Sequence, residues 1–304
     1  METGIETSSR RNSRMDPLHN KRKICLITGA TAGIGKATAL ELAKKGFVVV
    51  LAARNAAKAE TVKKEIAAQT GNPETDYLIG DLGSLRQVHQ LAKAFGDKYS
   101  HLDVLINNAG IFSPQRTMTK DGFEETYQVN YLSHFILTHL LLDKLKQSDQ
   151  GRVINLTSNV YGMGRFHQDA AKAEAGFSTM GAYATSKLLV LMFTIELANR
   201  LAGTRITANA VYPGVVKTHM LTSATGIFKL ISYLARPFAV SPQQGAATSV
   251  YLASSTDLGN VTGKYFANSK STVVKTKFNT EENRQLLWNT SMVSLRETNG
   301  KIQL

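Results

Sequence analysis

A glycine-rich turn between an apolar run and an amphipathic run limits the possible folds of this chain more than any other feature. The run Ile24–Thr28 is followed at once by Gly-Ala-Thr-Ala-Gly-Ile-Gly at residues 29–35. Glycines are needed where the backbone turns tightly and must approach a bound group closely. The N-terminus of the following helix offers free N–H groups and a partial positive charge. This strand–turn–helix unit therefore predicts a site for the pyrophosphate of a dinucleotide.

The rest of the chain alternates short apolar runs with longer amphipathic runs. The apolar runs predict strands at Ile24–Thr28, Phe47–Ala53, Thr75–Ile79, Val104–Asn107, Arg152–Leu156, Arg205–Val211 and Gly263–Phe266. The amphipathic runs predict helices at Gly35–Lys45, Asn55–Thr70, Leu85–Tyr99, Lys120–Leu145 and Tyr183–Leu201. Such alternation, with strands that lack a period of two, is typical of a parallel sheet buried on both faces. We expect an α/β fold: a single doubly wound Rossmann-type domain over residues 23–304, with helices on both faces of the sheet.

Residues 1–22 are polar and rich in Ser, Thr and Asn, which favours a disordered tail before the domain. An Arg- and Ser-rich transit peptide is the alternative, although such peptides avoid acidic residues and this segment contains three. The longest clean apolar run, Phe47–Ala53, is far shorter than the roughly 18 residues of a spanning helix. We therefore expect no membrane span and a cytoplasmic protein.

Composition excludes several classes of protein. Of 304 residues, 43% are hydrophobic and 19% are charged, which indicates a globular chain with a real core. The single cysteine, Cys25, excludes a disulfide framework and a multi-cysteine metal site, and no metal is expected. The net charge of +13 suits an anionic partner such as a phosphorylated cofactor. The basic residues are dispersed without interleaved aromatics, so nucleic acid is not expected as a partner.

One pair of residues suggests acid–base chemistry. Tyr183 and Lys187 are four residues apart in a predicted helix and share one face. A free tyrosine has a pKa near ~10, and a neighbouring ammonium favours the phenolate and lowers that pKa. Ser158 follows a strand and can hold a reacting oxygen toward Tyr183. Taken singly, Ser158 and the intrahelical Asn130 are more often a turn residue and a surface residue.

Taken in order, these motifs resemble the short-chain dehydrogenase/reductase family over about residues 22–270. The motifs are the Gly-x-x-x-Gly-x-Gly turn, Asn107–Gly110 after the fourth strand, Tyr183-x-x-x-Lys187, and Pro213–Gly214 followed by Thr218. The resemblance implies four catalytic residues: Asn130, Ser158, Tyr183 and Lys187. It also implies that Asn130 holds a water that links Lys187 to solvent.

The same resemblance implies a set of cofactor-binding residues. They are Gly29, Thr31, Gly33, Ile34, Gly35, Arg54, Asp81, Leu82, Asn108, Ala109, Gly110, Tyr183, Lys187, Pro213, Gly214, Val216 and Thr218. Asp81 either contacts the adenine, as in the family, or caps the helix that begins near Leu85.

The end of the second strand indicates which dinucleotide is bound. NAD-binding proteins place an acidic residue about 20 residues after the glycines, to hold the ribose hydroxyls. Here Ala53 occupies that position and Arg54 follows. Because an arginine fork matches a 2′-phosphate, the sequence predicts NADP(H). The alternative is that Arg54 is a solvated loop residue.

The interval between Ser158 and Tyr183 is 24 residues, about twice the usual interval in the family. This insert, with His167, Gln168 and Asp169, resembles the branch of retinol dehydrogenases, the WW-domain oxidoreductase and protochlorophyllide reductase. Gly263–Phe266 and Trp288 fit the same branch. Retinoid enzymes often add a membrane helix. Because no membrane span is expected here, the sequence disfavours a retinoid as the substrate. A lid over about residues 215–240, rich in Met and aromatic residues, favours a bulky lipophilic carbonyl, although core packing or an interface is the alternative.

We therefore expect an NADP(H)-dependent enzyme that interconverts a lipophilic carbonyl and an alcohol, with Tyr183 as general acid/base. The alternatives are a reductase of an activated carbon–carbon double bond and a non-catalytic NADP(H)-sensing protein. By the family resemblance, the helices at 120–145 and 183–201 could pair across a homodimer or tetramer, and the alternative is a monomer.

Arg54→Ala tests the cofactor prediction. If the guanidinium holds the 2′-phosphate, the substitution raises the KM for NADPH far more than the KM for NADH. Steady-state kinetics with both cofactors measures the two effects. Equal changes in the two KM values would contradict the assignment.

Overall fold

The computed structural model of this chain describes residues 22–173, 176–216 and 240–302. Eight strands in these residues form one sheet, in the order β3-β2-β1-β4-β5-β6-β7-β8. The strands are β1 Ile24–Thr28, β2 Val48–Ala53, β3 Thr75–Ile79, β4 Val104–Asn107, β5 Arg152–Leu156, β6 Thr207–Tyr212, β7 Tyr265–Ala267 and β8 Lys270–Thr272. Strands β1 to β7 are parallel, and β8 pairs antiparallel with β7.

Nine α-helices accompany the sheet in the described residues. They are α1 Gly33–Lys44, α2 Ala56–Thr70, α3 Leu85–Lys98, α4 Glu125–Tyr127, α5 Ser133–Leu140, α6 Leu142–Lys146, α7 Thr179–Arg200, α8 Pro242–Ser254 and α9 Glu281–Ile302. A π-helical segment, Gln128–Leu132, joins α4 to α5.

The two faces of the sheet bury separate apolar clusters, as the prediction of a doubly wound sheet requires. Successive side chains of a strand point to opposite faces. Cys25 and Ile27 of β1 therefore pack on the face covered by α1, α2 and α8. Ile24 and Leu26 pack on the other face, which α3, α5, α7 and α9 cover. The predicted fold class is confirmed.

The position of β1 creates the crevice of this fold. Leu26 of β1 lies opposite Val50 of β2 on one side and Leu105 of β4 on the other. The chain leaves β1 toward β2, whereas β4 begins the other half of the sheet. The connections that follow β1 and β4 therefore diverge, and a ligand crevice opens at the carboxyl ends of these strands.

The prediction of one helix over Lys120–Leu145 is wrong. Gly122 lies in a turn at φ +83°, and the helix begins only after Glu124. The Glu124 carboxylate accepts hydrogen bonds from the N–H groups of Thr126 and Tyr127, at 2.9 and 2.8 Å. Such a cap fixes the start of the helix, since the first N–H groups have no partner within it.

Two helices and the edge strand β8 have no counterpart in the sequence prediction. For α8 a signal was present: Ser241 and Gln244 form a reciprocal capping box, with Pro242 in the first turn. For α9 the local signal was weaker, because this helix is defined by its packing against α7 and α5. Its tertiary partners therefore lie at least 80 residues earlier in the chain, which pattern reading within one segment does not detect.

Among the described helices, α7 is the one whose length and composition would allow it to cross a membrane. However, 72% of the 18-residue apolar stretch of this helix is buried inside the protein. Its apolar character is explained by the core, where it packs against β5, β6 and α9. The surfaces of α5 and α7 that contact α9 are buried within the chain.

Trp288 provides a test of how firmly α9 belongs to the core. Its ring lies 5.2 Å from that of Phe135, and the guanidinium of Arg200 lies 4.3 Å from its centroid. We expect Trp288→Ala to lower the free energy of unfolding by about 3–5 kcal/mol, because it removes a large buried side chain. Urea denaturation measures this loss. Val293→Ala on the same helix, at a side chain 51% exposed, should have little effect. Equal losses in the two variants would show that α9 is not part of the core.

Candidate active site

The glycine turn lies at the crevice and is packed against the loop that follows β4. Gly29 and Gly33 adopt φ values of +65° and +53°, which L side chains rarely adopt. A Cβ at Gly35 would lie 2.4 Å from the Gly29 carbonyl oxygen and 2.5 Å from Asn108 Nδ2. The first turn of α1 carries no acidic residue, and Ala32 before it supplies no side-chain cap. These features fit a bound pyrophosphate.

A cleft of 1290 Å³ extends from this turn across the carboxyl ends of the strands. The predicted site residues that line it are Gly29, Thr31, Gly33, Ile34, Gly35, Arg54, Asp81, Leu82, Asn108, Ala109, Gly110, Ser158, Tyr183, Lys187, Pro213, Gly214 and Val216. Thr218 lies outside the described residues, as does most of the predicted lid. The volume exceeds the range of roughly 300–1,000 Å³ typical of one small ligand, so the cleft is larger than a single small molecule requires.

The residues at the end of β2 carry positive charge. Ala53 lines the cleft where an acidic residue would hold ribose hydroxyls, and Arg54 beside it is exposed. Lys58, in the first turn of α2, adds a second cation to the same part of the cleft. Its N–H donates to Asn55 Oδ1 at 2.9 Å, so Asn55 caps the helix there. Sequence analysis did not identify Lys58.

The alternative role of Asp81 as a helix cap is wrong. Its Oδ1 accepts from the N–H of Gly83 at 2.9 Å, within the turn that precedes α3. Ser84 is the N-cap residue, and the N–H of Leu85 donates to Asp121 Oδ2 at 2.8 Å. Asp81 is therefore held in a turn at the wall of the cleft.

Ser158 and Tyr183 meet at the end of the cleft opposite Arg54. Ser158 follows β5, Tyr183 lies in the second turn of α7, and both side chains line the cleft. The Thr157 hydroxyl donates to the Lys187 carbonyl oxygen at 2.7 Å and fixes α7 against the end of β5. The ring of Phe112 packs edge-on against Tyr183, with centroids 5.4 Å apart.

Lys187 is a buried cation below Tyr183. Its Nζ donates to the Leu156 carbonyl oxygen at 3.1 Å and lies 5.5 Å from the Tyr183 ring centroid. Burial disfavours the charged ammonium and lowers the pKa of Lys187 to about 8.

The prediction that Lys187 lowers the pKa of Tyr183 is wrong for this structure. Burial raises the pKa of Tyr183 to about 12, because the phenolate would be desolvated. The hydrogen bond with Ser158 acts in the opposite direction, and Tyr212 adds a smaller upward effect. At neutral pH Tyr183 is a protonated phenol, the form that can donate a proton.

Asn130 lies behind the cleft rather than in its wall. It belongs to the π-helical segment and is fully buried. Its Oδ1 accepts from the Ile111 N–H at 2.7 Å, and its Nδ2 donates to the Ile111 carbonyl oxygen and to Ser186 Oγ, each at 3.0 Å. A Cβ at Gly110 would lie 3.4 Å from both Asn130 Oδ1 and Lys187 Nζ, so these two polar groups flank the same glycine.

Comparison with known proteins identifies the family. The sequence profile of the short chain dehydrogenase family matches residues 23–226. The chain belongs to the short-chain dehydrogenase family. It is 40% identical to mouse retinol dehydrogenase 12 over 269 residues, which cover 88% of this chain and 85% of the relative. It is 38% identical to mouse retinol dehydrogenase 14, with coverage of 94% and 91%. The predicted resemblance to the retinol dehydrogenase branch is confirmed, and the protein is an oxidoreductase of that branch.

Solved structures of similar proteins agree with the fold. An uncharacterised protein of Mycobacterium paratuberculosis superposes with a TM-score of 0.72 at 30% identity, covering 90% of this chain and 93% of that one. A protein of Escherichia coli CFT073, described as a short chain dehydrogenase and complexed with NADPH, gives a TM-score of 0.64 at 26% identity. It covers 82% of this chain and 97% of its own.

Phe112 and Tyr212 of the cleft wall in this short-chain dehydrogenase, like Lys58, were not predicted from the sequence. Phe112 follows the Asn107–Gly110 motif by two residues, and Tyr212 immediately precedes Pro213. Both positions adjoin motifs, which was the available signal. From the insert between Ser158 and Tyr183, Met180 lines the cleft, whereas Met163 is 65% exposed.

Lys187→Met tests the electrostatic cost of this site. The pKa of Lys187 is about 8 in the folded protein and near 10.5 in an unfolded chain. Between these two pH values the unfolded state binds more protons than the folded state. The free-energy cost of burying the Lys187 ammonium is therefore complete below pH 8 and is relieved as the pH rises toward 10.5. We expect the variant to be more stable than the wild type at pH 7, by up to about 3 kcal/mol, and the advantage to shrink at pH 9.5.

Urea denaturation at pH 7 and pH 9.5 measures both differences. Lys93→Met, at a side chain 77% exposed, is the control and should give a small difference that does not change with pH. A Lys187→Met advantage that is absent at pH 7, or that is equal at the two pH values, would contradict the prediction.

Proposed function

We propose that this short-chain dehydrogenase uses NADP(H) to interconvert a bulky lipophilic carbonyl and its alcohol, with Tyr183 as the general acid/base. The observation that carries the proposal is that Ser158 and Tyr183 line the cleft together. This pair lies in the wall of the same cleft as the glycine turn and Arg54. The acid/base group and the cofactor-binding residues therefore face one space.

The charges at the end of β2 support NADP(H) over NAD(H). Arg54 and Lys58 would hold the 2′-phosphate, and Ala53 offers no carboxylate to a ribose hydroxyl. The glycine turn would hold the pyrophosphate, since a side chain at Gly35 has no room. The NADPH complex of the E. coli protein, at 26% identity, supports the same choice.

In the direction of reduction, this chain supplies a proton and a fixed position for the carbonyl oxygen. A nicotinamide bound in the cleft supplies the hydride that adds to the carbonyl carbon. The hydroxyls of Ser158 and Tyr183 hydrogen bond the oxygen as negative charge develops on it. Tyr183, whose pKa is about 12, then transfers its proton to that oxygen. The ammonium of Lys187 lies 5.5 Å from the ring centroid of the phenolate that remains.

The wall around Tyr183 supports an apolar substrate. Phe112, Val160, Met180 and Val215 line the cleft in that region. Retinol, named as the substrate of the relatives, is a bulky apolar alcohol. Retinoids therefore belong among the candidate substrates, although the sequence analysis disfavoured them because it found no membrane span.

The test is NADPH oxidation by the purified full-length protein, followed at the nicotinamide absorbance. The substrate panel contains all-trans-retinal, long-chain aldehydes, bulky ketones and conjugated enones, with NADH as the alternative cofactor. We expect turnover of bulky apolar carbonyls with NADPH and poor turnover with NADH. Tyr183→Phe should lower kcat by about 10²–10⁴-fold, because it removes the proton donor. Tyr251→Phe on α8, which does not line the cleft, is the matched control.

Each other outcome has a definite meaning. Reduction of the conjugated double bond alone would favour the alternative reductase. Tight NADPH binding without turnover of any panel member would favour a binding protein. Absence of NADPH binding by the wild type would overturn the proposed function.

A further inference from the structure

A buried histidine outside the cleft wall connects the glycine turn to the helix that contains Asn130. His134 lies on α5 and is 2% exposed. Its Nε2 lies 3.2 Å from Thr28 Oγ1, and its Nδ1 lies 3.0 Å from the Asn130 carbonyl oxygen. Thr28 is the last residue of β1, immediately before Gly29. The ring therefore spans the space between the cofactor-binding turn and the segment of Asn130.

The hydrogen bonds of Thr28 define where the protons lie. Its Oγ1 accepts from the N–H groups of Asn108 and Ala109, at 3.0 and 2.9 Å. Its own proton is then donated to His134 Nε2, since the other acceptor in reach, the Ile106 carbonyl oxygen, lies at 3.5 Å. With Nε2 as acceptor, Nδ1 carries the ring proton and donates it to the backbone carbonyl oxygen of Asn130.

The surroundings keep this imidazole neutral. Burial, and to a smaller extent the charge of Lys187, lower the pKa of His134 to about 3. The ring therefore has one tautomer with one donor and one acceptor, and both are used.

Beyond Asn130 the hydrogen bonds continue to the residues of the reaction. Asn130 Nδ2 donates to Ser186 Oγ at 3.0 Å, and the Ser186 hydroxyl donates to the Tyr183 carbonyl oxygen at 2.7 Å. A path of hydrogen bonds, joined through the covalent structure of Asn130, therefore runs from the end of β1 to the backbone of Tyr183. His134 is its central member.

Asn130 lies in the π-helical segment, and His134 follows this segment after one intervening residue, Ser133. There the N–H of Ser133 bonds to the carbonyl oxygen of Gln128, five residues earlier. The Asn130 carbonyl oxygen also faces His134 Nδ1, at 3.0 Å. Such widened turns are often found at functional sites.

We infer that His134 is a positioning residue for the proposed reaction, which fixes the glycine turn relative to the helix of Tyr183 through Thr28 and Asn130. The inference rests on the proposed function. Hydride transfer and proton transfer must act on one carbonyl group, so the two halves of the site must be held at a fixed separation. A misplacement of ~1 Å costs about a hundredfold in rate.

The experiment compares His134→Leu with His139→Leu on the same helix. His139 makes the same local hydrogen bond, from Nδ1 to a carbonyl oxygen four residues earlier, but its ring packs against Trp288. We expect His134→Leu to lower kcat, per NADPH-binding site, by about 10- to 100-fold with saturating NADPH and the best carbonyl of the panel. His139→Leu should stay within about twofold of the wild type.

The number of NADPH-binding sites is counted by fluorescence titration, and the Tm is recorded for each variant. A merely structural role for His134 would lower the Tm and the number of sites but leave kcat per site unchanged. His134→Gln should recover part of kcat, because an amide can accept from Thr28 and donate to Asn130 at once. A kcat per site for His134→Leu within twofold of the wild type would overturn the inference.

Should His134→Leu not fold, His134→Gln and His134→Asn decide the question. The shorter amide cannot reach both partners, so its kcat per site should fall well below that of the Gln variant, and equal values would overturn the inference. Failure of the proposed function is distinguishable, because it would appear in the wild type as absent NADPH binding or absent turnover.

Discussion

The site depends on the close packing of the glycine turn against the loop after β4, which leaves no room for a side chain at Gly35. Gly35 has no room for a Cβ, because the Gly29 carbonyl oxygen and Asn108 Nδ2 occupy its place. Asn108 Nδ2 also donates to the Thr28 carbonyl oxygen at 2.7 Å, which holds the loop to the end of β1. The cleft begins where these two connections diverge. The positions of Arg54 at one end of the cleft and of Tyr183 at the other are set relative to this contact.

Function and stability make opposing demands on the other half of the site. Lys187 is buried and, among the described residues, its Nζ donates one hydrogen bond, to the Leu156 carbonyl oxygen, while Tyr183 is desolvated beside it. Buried groups of this kind are costly to a fold unless other contacts offset them. In this protein the offset comes from the apolar residues of α7 on either side, which pack into the core around Trp288 and Phe193. A stable core thus allows two poorly solvated polar groups to remain in the cleft wall.

The strands and the motifs were predictable from the sequence because their signals are local. Strands β1, β3, β4 and β5 have the predicted bounds, and the described motif residues, apart from Asn130 and Asn107, line one cleft. Tertiary effects account for the failures. The pKa of Tyr183 depends on burial, which residue spacing does not reveal, and the Lys120–Leu145 pattern gave no sign of the π-helical segment. The sequence around His134 gives no sign of its role, because its partner Thr28 lies 106 residues away in the chain.

The C-terminal helix α9 also affects the order in which this protein can fold. Its Trp288, Ser291 and Arg284 contact Arg200, Tyr131 and Glu196, all on earlier parts of the chain. During synthesis, α7 leaves the ribosome about 80 residues before α9, so the apolar surface that α9 will cover remains exposed until then. Such surface is a target for chaperones and for premature association. The helix of Tyr183 and Lys187 therefore reaches its final packing only in the last stage of folding.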